Sequence, residues 1–526
     1  MTTTHRRDRT VAPGRGRVAL PALAAGIGLA LTLPPWGWWA LGFPAAGLLW
    51  WRLGSLRPRT RLWAGWLAGL GCYGPGLMWA RSFTLAGAVA LIAFEALFGA
   101  IACLAVPSRR VAARALAFPA AMALAEAART SWPFGGLPIG GVFLGQAGGP
   151  VLGVARLGGA LGLTVAVYAG GVGVAALVGC GARAASDRTR AVGGVGTMAL
   201  VGAIAVGGLS GLVLVADHAP DGGPSRGAVT TAAVQGGGAR GFRKSQIDPR
   251  VVLAAQSAAT GEMQHLDHGT APDLVLWPED VVSLDTALDQ SPEEPVLAGE
   301  ARSLHTTLVV GVTEVVSDSA FRNEVVAFGP DGAVVSRFEK VHRVPFGEYV
   351  PFRSFFAHLA NLSSVPLDAV PGHGTGLLAT PAASLGALVS YEDFYADRGR
   401  SAVRAGAQLL IVPTNTSSYA TDQVPTQEIA ASEVQAVQQG RDLLQAAPTG
   451  YSAAITNRGV LQRRSVLGSR QIVFATLFRR TGTTLYVRYG DLPVEVASVL
   501  ALVLGWWLAR RRRTGGAAGR PDHRQS

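Results

Sequence analysis

The sequence predicts a polytopic α-helical membrane domain of about eight spans, with one α/β domain inserted before the last span. Three observations carry that expectation. Eight apolar runs are long enough to cross a bilayer, arginines gather in the gap after every second run, and the polar stretch 217–492 alternates short β-rich runs with helical patterns. A composition of 49% hydrophobic and 15% charged residues over 526 positions is too apolar for an ordinary soluble protein.

The runs fall near 18–34, 36–52, 62–80, 84–106, 111–128, 151–179, 191–215 and 493–509. Each is close to the ~17–25 residues a helix needs to span the hydrocarbon core. Pro44 weakens the second and glycines weaken the sixth. No small-residue cleavage site follows the first, and Pro34, Pro35, Trp36, Trp38 and Trp39 read as an interfacial belt at a helical hairpin.

Arg6, Arg7, Arg9, Arg15 and Arg17 precede the first run. Later sets are Arg52, Arg57, Arg59 and Arg61, then Arg109, Arg110 and Arg114, then Arg183, Arg188 and Arg190, and finally Arg510, Arg511, Arg512 and Arg513. Cytoplasmic loops carry such an excess of basic charge. The sets therefore give a cytoplasmic tail at 1–17, a membrane domain of about seven spans at 18–216, an extracytoplasmic domain at 217–492, a last span at 493–509 and a cytoplasmic tail at 510–526. A multi-pass, monomeric protein of the cell membrane is expected. With Arg520 and Arg524, and less Asp8, Asp187 and Asp522, these sets carry +18 of a formal total of +12. The rest of the chain is net negative, which argues against a nucleic-acid surface.

Within the spans, Gly65 and Gly69 have the small-xxx-small spacing of close helix contact. Glu95 and Glu126 are carboxylates in apolar runs, where charge is expensive. Two readings stay open for them: ion-pair partners, with Arg129 for Glu126, or lining of a lipid-access cavity. Cys72, Cys103 and Cys180 all fall in the apolar part, so the α/β domain has no disulfide framework, zinc site or thiol nucleophile. His265 and His268 lack supporting ligands, so neither a metal nor another cofactor is expected.

The external region has β-rich runs at 228–234, 273–277, 307–312, 324–328, 333–338, 385–390 and 408–412, with a hairpin turn at Gly329-Pro330-Asp331-Gly332. Residues 426–444 read as a helix with Ile429, Val434, Val437 and Leu443 as its apolar positions. The runs 451–455 and 460–462 flank Asn457-Arg458-Gly459 as a second hairpin. Strands mixed with helices over this length indicate one α/β domain.

Three strand ends could carry chemistry, because a rigid sheet fixes geometry while the following loop gives access. The first is Leu274-Val275-Leu276-Trp277-Pro278-Glu279, the second is Lys340 after 333–338, and the third is Leu388-Val389-Ser390-Tyr391-Glu392. Taken singly they also read as a surface carboxylate, a surface lysine and a small core serine. Lys340 is one of only two lysines, the other being Lys244, in a chain whose basic charge is otherwise arginine. An ammonium is a compact, tunable donor where a guanidinium is a wide fork. No Gly-x-Ser-x-Gly elbow occurs, which disfavours a Ser-His-Asp lipase.

Together the three ends resemble the Glu-Lys-Cys triad of the carbon-nitrogen hydrolase (nitrilase) superfamily. The resemblance narrows with Val344-Pro345-Phe346-Gly347-Glu348-Tyr349-Val350-Pro351 after Lys340, enclosed between seven spans and one. Over roughly 18–510 the chain is similar to the apolipoprotein N-acyltransferases. Other pieces agree: Pro34-Pro35-Trp36-Gly37, Glu126 to Arg129 before Pro133-Phe134-Gly135, Val234-Gln235-Gly236, Thr414-Asn415, Gly440-Arg441 and Thr449-Gly450.

The resemblance implies an αββα sandwich for the external domain and no cofactor. It also implies a reaction, transfer of an acyl chain from membrane phospholipid, through an acyl-enzyme, to the α-amino group of a lipoprotein's lipid-modified N-terminal cysteine. Carried over by residue, Glu279 is the general base, Lys340 the oxyanion donor and Glu348 an auxiliary acid, while Tyr391, Glu392 and Trp277 shape the pocket. Ser390 stands where the family has its cysteine, and a hydroxyl is far less acidic than a thiol. It is read as a slower nucleophile, as the mark of a paralogue that binds lipid or lipoprotein without transfer, or as a sign of acylation by another route. Ser417-Ser418-Tyr419 carries one aromatic where relatives often carry a pair.

Overall fold

The computed structural model describes residues 15–108, 110–186, 192–238, 248–266, 271–358, 362, 365–419 and 422–511. Expectations that fell on residues 1–14 and 512–526, on Arg109, Asp187, Arg188, Arg190, Lys244 and His268 lie outside the described residues.

The N-terminal part contains α1 (Arg15–Ala30), α2 (Gly42–Leu53), α3 (Pro58–Gly76), α4 (Leu85–Ala105), α5 (Val111–Arg129), α6 (Ala155–Ser186) and α7 (Val192–His218). The α/β part begins with β1 (Ala228–Gln235), α8 (Pro249–Leu266), β2 (Leu274–Leu276), β3 (Val282–Leu284), α9 (Glu293–Leu304), β4 (Thr307–Ser317), β5 (Ala320–Phe328) and β6 (Val334–Glu339). It continues with α10 (Arg353–Phe356), β7 (Asp368–Ala369), β8 (Leu377–Ala379), β9 (Ser384–Ala387), α11 (Ala396–Arg404), β10 (Leu409–Pro413), α12 (Gln423–Gln439), β11 (Leu443–Ala446) and β12 (Ala453–Ile455). Then come β13 (Leu461–Arg464), β14 (Gln471–Phe478), α13 (Leu485–Tyr489) and finally α14 (Leu492–Arg510).

Each of the eight apolar runs holds a helix. Among the described residues five are long and apolar enough to cross a membrane: α4, α5, the helix within Leu152–Gly181, α7 and α14. The other three fall short for local reasons. α1 ends at Ala30, ahead of the Pro34-Pro35 pair; a 3-10 turn at Trp39–Leu41 leaves α2 only 12 residues; and α3 carries Arg59 and Arg61. α7 and α14 turn Leu200, Ile204, Leu214, Leu500 and Val503 outward, an apolar surface of the kind that needs a non-aqueous neighbour.

Small residues set a close contact between α3 and α4. A Cβ on Gly65 would lie 2.4 Å from Gly99 O, and one on Gly69 would lie 2.6 Å from Ala96 Cα, so only glycine lets α3 and α4 approach this far. The guanidinium of Arg114 packs against Gly54 at the end of α2, and Arg110 donates to the carbonyl of Arg511. Three arginine sets thus meet at one end of the bundle, opposite the end of α5 that carries Arg129.

The α/β part is two sheets packed face to face. One runs β14-β1-β2-β4-β5-β6, with β3 beside β4 and β7 beside β5; the other runs β13-β12-β11-β10-β9-β8. Between them lies an apolar core that includes Leu276, Val309, Val325, Phe338, Leu385, Val389, Ile411 and Leu444. The outer face of the first sheet buries Val275, Val310 and Val326 against Met263 of α8 and Leu297 of α9. The outer face of the second buries Leu388, Leu410 and Val412 against Val403 of α11 and Ile429 of α12. This is the expected αββα sandwich.

The reading of 426–444 as one helix is corrected. Gly440 takes a left-handed backbone, φ 65°, which ends α12 at Gln439, and Leu443 opens strand β11. The sequence reading also missed β14, which pairs antiparallel with β1 from Ala228↔Phe478 to Gln235↔Gln471 and closes an edge.

Candidate active site

Glu279 sits three residues beyond β2. The backbone of this turn lies directly on β4, where Gly311 N–H donates to Pro278 O at 3.2 Å. A side chain at Gly311 would put its Cβ 2.5 Å from Glu279 Cα, so the turn can lie there only over glycine. Lys340 follows β6 directly. Its backbone N–H donates to Asn323 O and its carbonyl accepts from Gly372 N, both at 2.9 Å, which fixes the side chain pointing inward.

The carboxylates of Glu279 and Glu348 close on that lysine. Lys340 Nζ donates to Glu279 Oε1 and to Glu348 Oε1, each at 2.8 Å. Asn323 Nδ2 donates to the same two oxygens, each at 2.9 Å. Glu348 Oε2 accepts from Val344 N at 2.8 Å, which ties the Val344–Glu348 turn back onto itself. Two of the ammonium's three N–H bonds are thus used, and among the described residues the third has no acceptor. Glu279 Oε2 likewise receives no hydrogen bond among them.

Lys340 is 2% exposed and Glu279 6%. Burial, with a smaller push from Glu348, raises the Glu279 carboxyl above its ordinary 4.5 against the pull of Lys340. For Lys340 burial acts to lower the value, but the attached carboxylates of Glu279 and Glu348 outweigh it and hold the ammonium charged. The cluster therefore combines a fixed cation with a carboxylate of strengthened basicity.

Ser390 begins a 3-10 turn, Ser390–Phe394, just after β9, and is half-buried with φ 51°. That left-handed backbone is uncommon for a non-glycine residue, and the turn is held in place by Glu392. Glu392, with no exposed surface, accepts from Val389 N at 3.0 Å through one oxygen. Its other oxygen accepts from Val341 N at 2.9 Å and His342 N at 3.1 Å. One carboxylate therefore clamps the residue before Ser390 to the two residues after Lys340, bringing these strand ends together.

Tyr391 points away from the sandwich. Its hydroxyl and that of Tyr395 both donate to Gly136 O, at 3.0 and 2.9 Å, on the loop after α5. Trp277 has no exposed surface and packs in the sheet–helix core with Met263, Val281 and Leu297, two residues before Glu279. Tyr419 stands edge-on to Trp79 and Phe83, at 5.4 and 5.8 Å between ring centres, so the helical part supplies aromatics beside the single one in that loop.

Two further groups were not read from the sequence: Asn323, which contacts both carboxylates, and Glu428, whose charge is felt by Glu279 and Lys340. Asn323 lies inside β5, where it looks like an ordinary strand residue. Glu428, on α12, accepts from Thr414 Oγ1, and among the described residues its buried Oε2 has no partner. Burial pushes its carboxyl up to about 8. Among the described residues no cluster of His, Cys, Asp and Glu is arranged to hold a metal.

Residues 25–173 match the family model described as the apolipoprotein N-acyltransferase N-terminal domain, and residues 231–481 match that of carbon-nitrogen hydrolase. The apolipoprotein N-acyltransferase of Gloeobacter violaceus is 30% identical over 547 aligned positions, covering 98% of each chain. That of Mycolicibacterium smegmatis is 30% identical over 456, covering 83% of this chain and 76% of the relative. Among solved structures, a carbon-nitrogen hydrolase from Helicobacter pylori aligns with 15% identity and a TM-score of 0.37, covering 55% of this chain and 96% of that one. The two matched regions correspond to the helical part and to the sandwich that holds Glu279, Lys340 and Ser390, and on this ground the chain belongs to the apolipoprotein N-acyltransferase family.

Proposed function

We propose that this protein takes an acyl chain from a membrane phospholipid onto Ser390 and passes it to the α-amino group of a lipoprotein's lipid-modified N-terminal cysteine. The observation that carries the reading is the third N–H of Lys340, which among the described residues has no acceptor, beside a carboxylate whose second oxygen has no donor among them. As Ser390 Oγ attacks the phospholipid ester carbonyl, Glu279 takes its proton and the new oxyanion accepts the unused N–H of Lys340. Collapse breaks the ester bond, and the departing lysophospholipid oxygen recovers the proton from Glu279. In the second half the acceptor amine attacks the acyl-serine, gives its proton to Glu279, and Ser390 Oγ leaves with that proton as the amide forms. Glu348 and Asn323 hold Lys340 and Glu279 at their spacing, and Glu392 holds the Ser390 turn against the Lys340 loop.

The domain plan that goes with this reading has eight spans, both termini in the cytoplasm, the sandwich of 217–492 outside, and a monomer in the cell membrane. Its support is the gathering of arginine sets at the end of the helical bundle away from Tyr391, which fits basic charge on the cytoplasmic side. Ser390 also favours a second reading, a family member that binds lipid or lipoprotein without transfer, because an acyl ester is less reactive toward an amine than a thioester. The test is transfer of a labelled acyl chain from phospholipid to a lipid-modified N-terminal cysteine peptide by the reconstituted protein. Label in amide linkage, lost with Glu279→Gln, supports transfer; peptide binding without label supports the second reading.

A further inference from the structure

The buried charges of the helical part form one unit. Arg129, with no exposed surface, gives Nε and Nη2 to the two oxygens of Glu126 at 3.0 and 2.7 Å, and Nη1 lies 3.4 Å from Glu95 Oε2. The same guanidinium donates to the carbonyls of Pro138 and Ile139, both at 3.2 Å, and of Leu137, while Leu137 N donates to Arg129 O at 3.0 Å. It also lies over the Tyr73 ring, 5.2 Å from its centre. A surface-type salt bridge would need none of these backbone acceptors. Their effect is to fasten the loop after α5.

That loop ends at the other site. Gly136 precedes the fastened carbonyls, has φ +84°, and is so tightly folded that a Cβ would lie 2.1 Å from the Thr130 carbonyl carbon. Its own carbonyl accepts from both Tyr391, the neighbour of Ser390, and Tyr395, whose ring stacks on His342 at 4.1 Å. His342 in turn lies two residues from Lys340. We infer that Arg129 is a positioning residue for the reacting groups: held by Glu95 and Glu126, it fixes the Gly136 carbonyl to which the Ser390 turn is hydrogen-bonded. The carboxylates in the spans thus serve the alignment of an active site outside them. The inference rests on the acyl-transfer reading for its chemistry but not for its geometry.

Two readouts on the full-length reconstituted protein keep the two apart. Hydrogen exchange needs no turnover. Arg129→Lys, which keeps charge and loses the fork, is expected to speed exchange both in 130–141 and in 388–396 by about three- to tenfold, the worth of one or two hydrogen bonds. Loosening of 130–141 alone, with 388–396 as in the wild type, overturns the inference. The second readout is the single-turnover rate of acylation in a double-mutant cycle with Tyr391→Phe and Tyr395→Phe, which remove only the two donors. Coupling predicts that Arg129→Lys slows the wild type but adds little once both hydroxyls are gone; full additivity overturns it. Should Arg129→Lys fail to fold, Tyr395→Phe alone decides. It is expected to slow acylation about three- to tenfold at unchanged apparent KM for phospholipid, and an unchanged rate overturns the inference. Absence of any acylation in the wild type counts against the proposed function and leaves the exchange result to decide the positioning role.

Discussion

Lys340 Nζ lies 2.8 Å from Glu279 Oε1 across 61 residues of sequence, and Asn323 Nδ2 reaches the same oxygen at 2.9 Å. A cation enclosed between two carboxylates is held at one point in space, and the amide shared by both acids keeps them from spreading. The site's chemistry follows from the donor this arrangement leaves over.

Lys340→Arg keeps the charge but replaces one aimed N–H with a planar fork too wide for the gap between Glu279 and Glu348. Loss of an oxyanion donor costs about 10²–10³ in rate. Acyl transfer is expected to fall at least that far in a protein that still folds, with a melting temperature lowered by the crowding of a buried site. Retained transfer in a folded variant removes Lys340 from its role.

Asn323→Asp puts a third carboxylate beside one lysine. A like charge raises the pKa of Glu279 further, and Glu279 acts as a base only when ionised. Activity is lost as pH falls through the raised Glu279 value, which already lies above the ordinary 4.5. The acidic limb of the pH–rate profile is expected to move up by about one unit or more in the variant. An unmoved limb would mean that Glu279 is not the group whose ionisation it reports.

Ser390→Cys supplies a thiol near its titration range, about 8.5 when unperturbed, within the same turn and the same Glu392 clamp. Both half-reactions are expected to quicken. If acyl-enzyme and product stay at background in this variant, residues beyond the nucleophile have been lost and the protein binds rather than transfers.

Glu428 holds its proton to about 8 in the folded protein because of burial, against 4.5 for the ordinary group. Between those values the unfolded chain binds fewer protons than the folded one, so this residue's contribution to stability falls as pH rises through that window. Glu428→Gln removes the penalty. Its melting temperature in detergent is expected to match the wild type near pH 5 and to exceed it by a margin that widens as the pH rises towards 8. A gap that does not change with pH rules out Glu428 as the titrating group.

What the sequence made legible was whatever is local. Glu279, Lys340 and Ser390 stand at the ends of apolar β-rich runs, and a strand end marks itself by a change of composition. The two-sheet core was readable for the same reason, since its strands are short runs of Val, Leu and Ala. Asn323 was not readable, because its partners lie 44 and 25 residues away and meet only when β5 is paired. Leu443 was assigned to a helix because its spacing continues that of α12, whereas the backbone turn at Gly440 decides the matter. Glu126 and Arg129 are one helical turn apart and their pairing could be expected, but the arrival of Glu95 from α4 depends on helix packing that no local pattern records. Trp277 faces the helices on the side of the sheet opposite Leu276, as successive positions along an extended chain do, whereas Glu279 lies past the turn at Pro278, where that alternation no longer runs.

The most direct test of the central claim, that Ser390 carries the acyl chain, is intact-protein mass spectrometry after incubation with phospholipid, comparing the wild type with Ser390→Ala. The account predicts an acyl adduct on the wild type, mapped to Ser390 and missing from the alanine variant. An adduct that persists in the alanine variant, or a wild type that delivers acyl chains to lipoprotein without any acyl-serine forming, would contradict it.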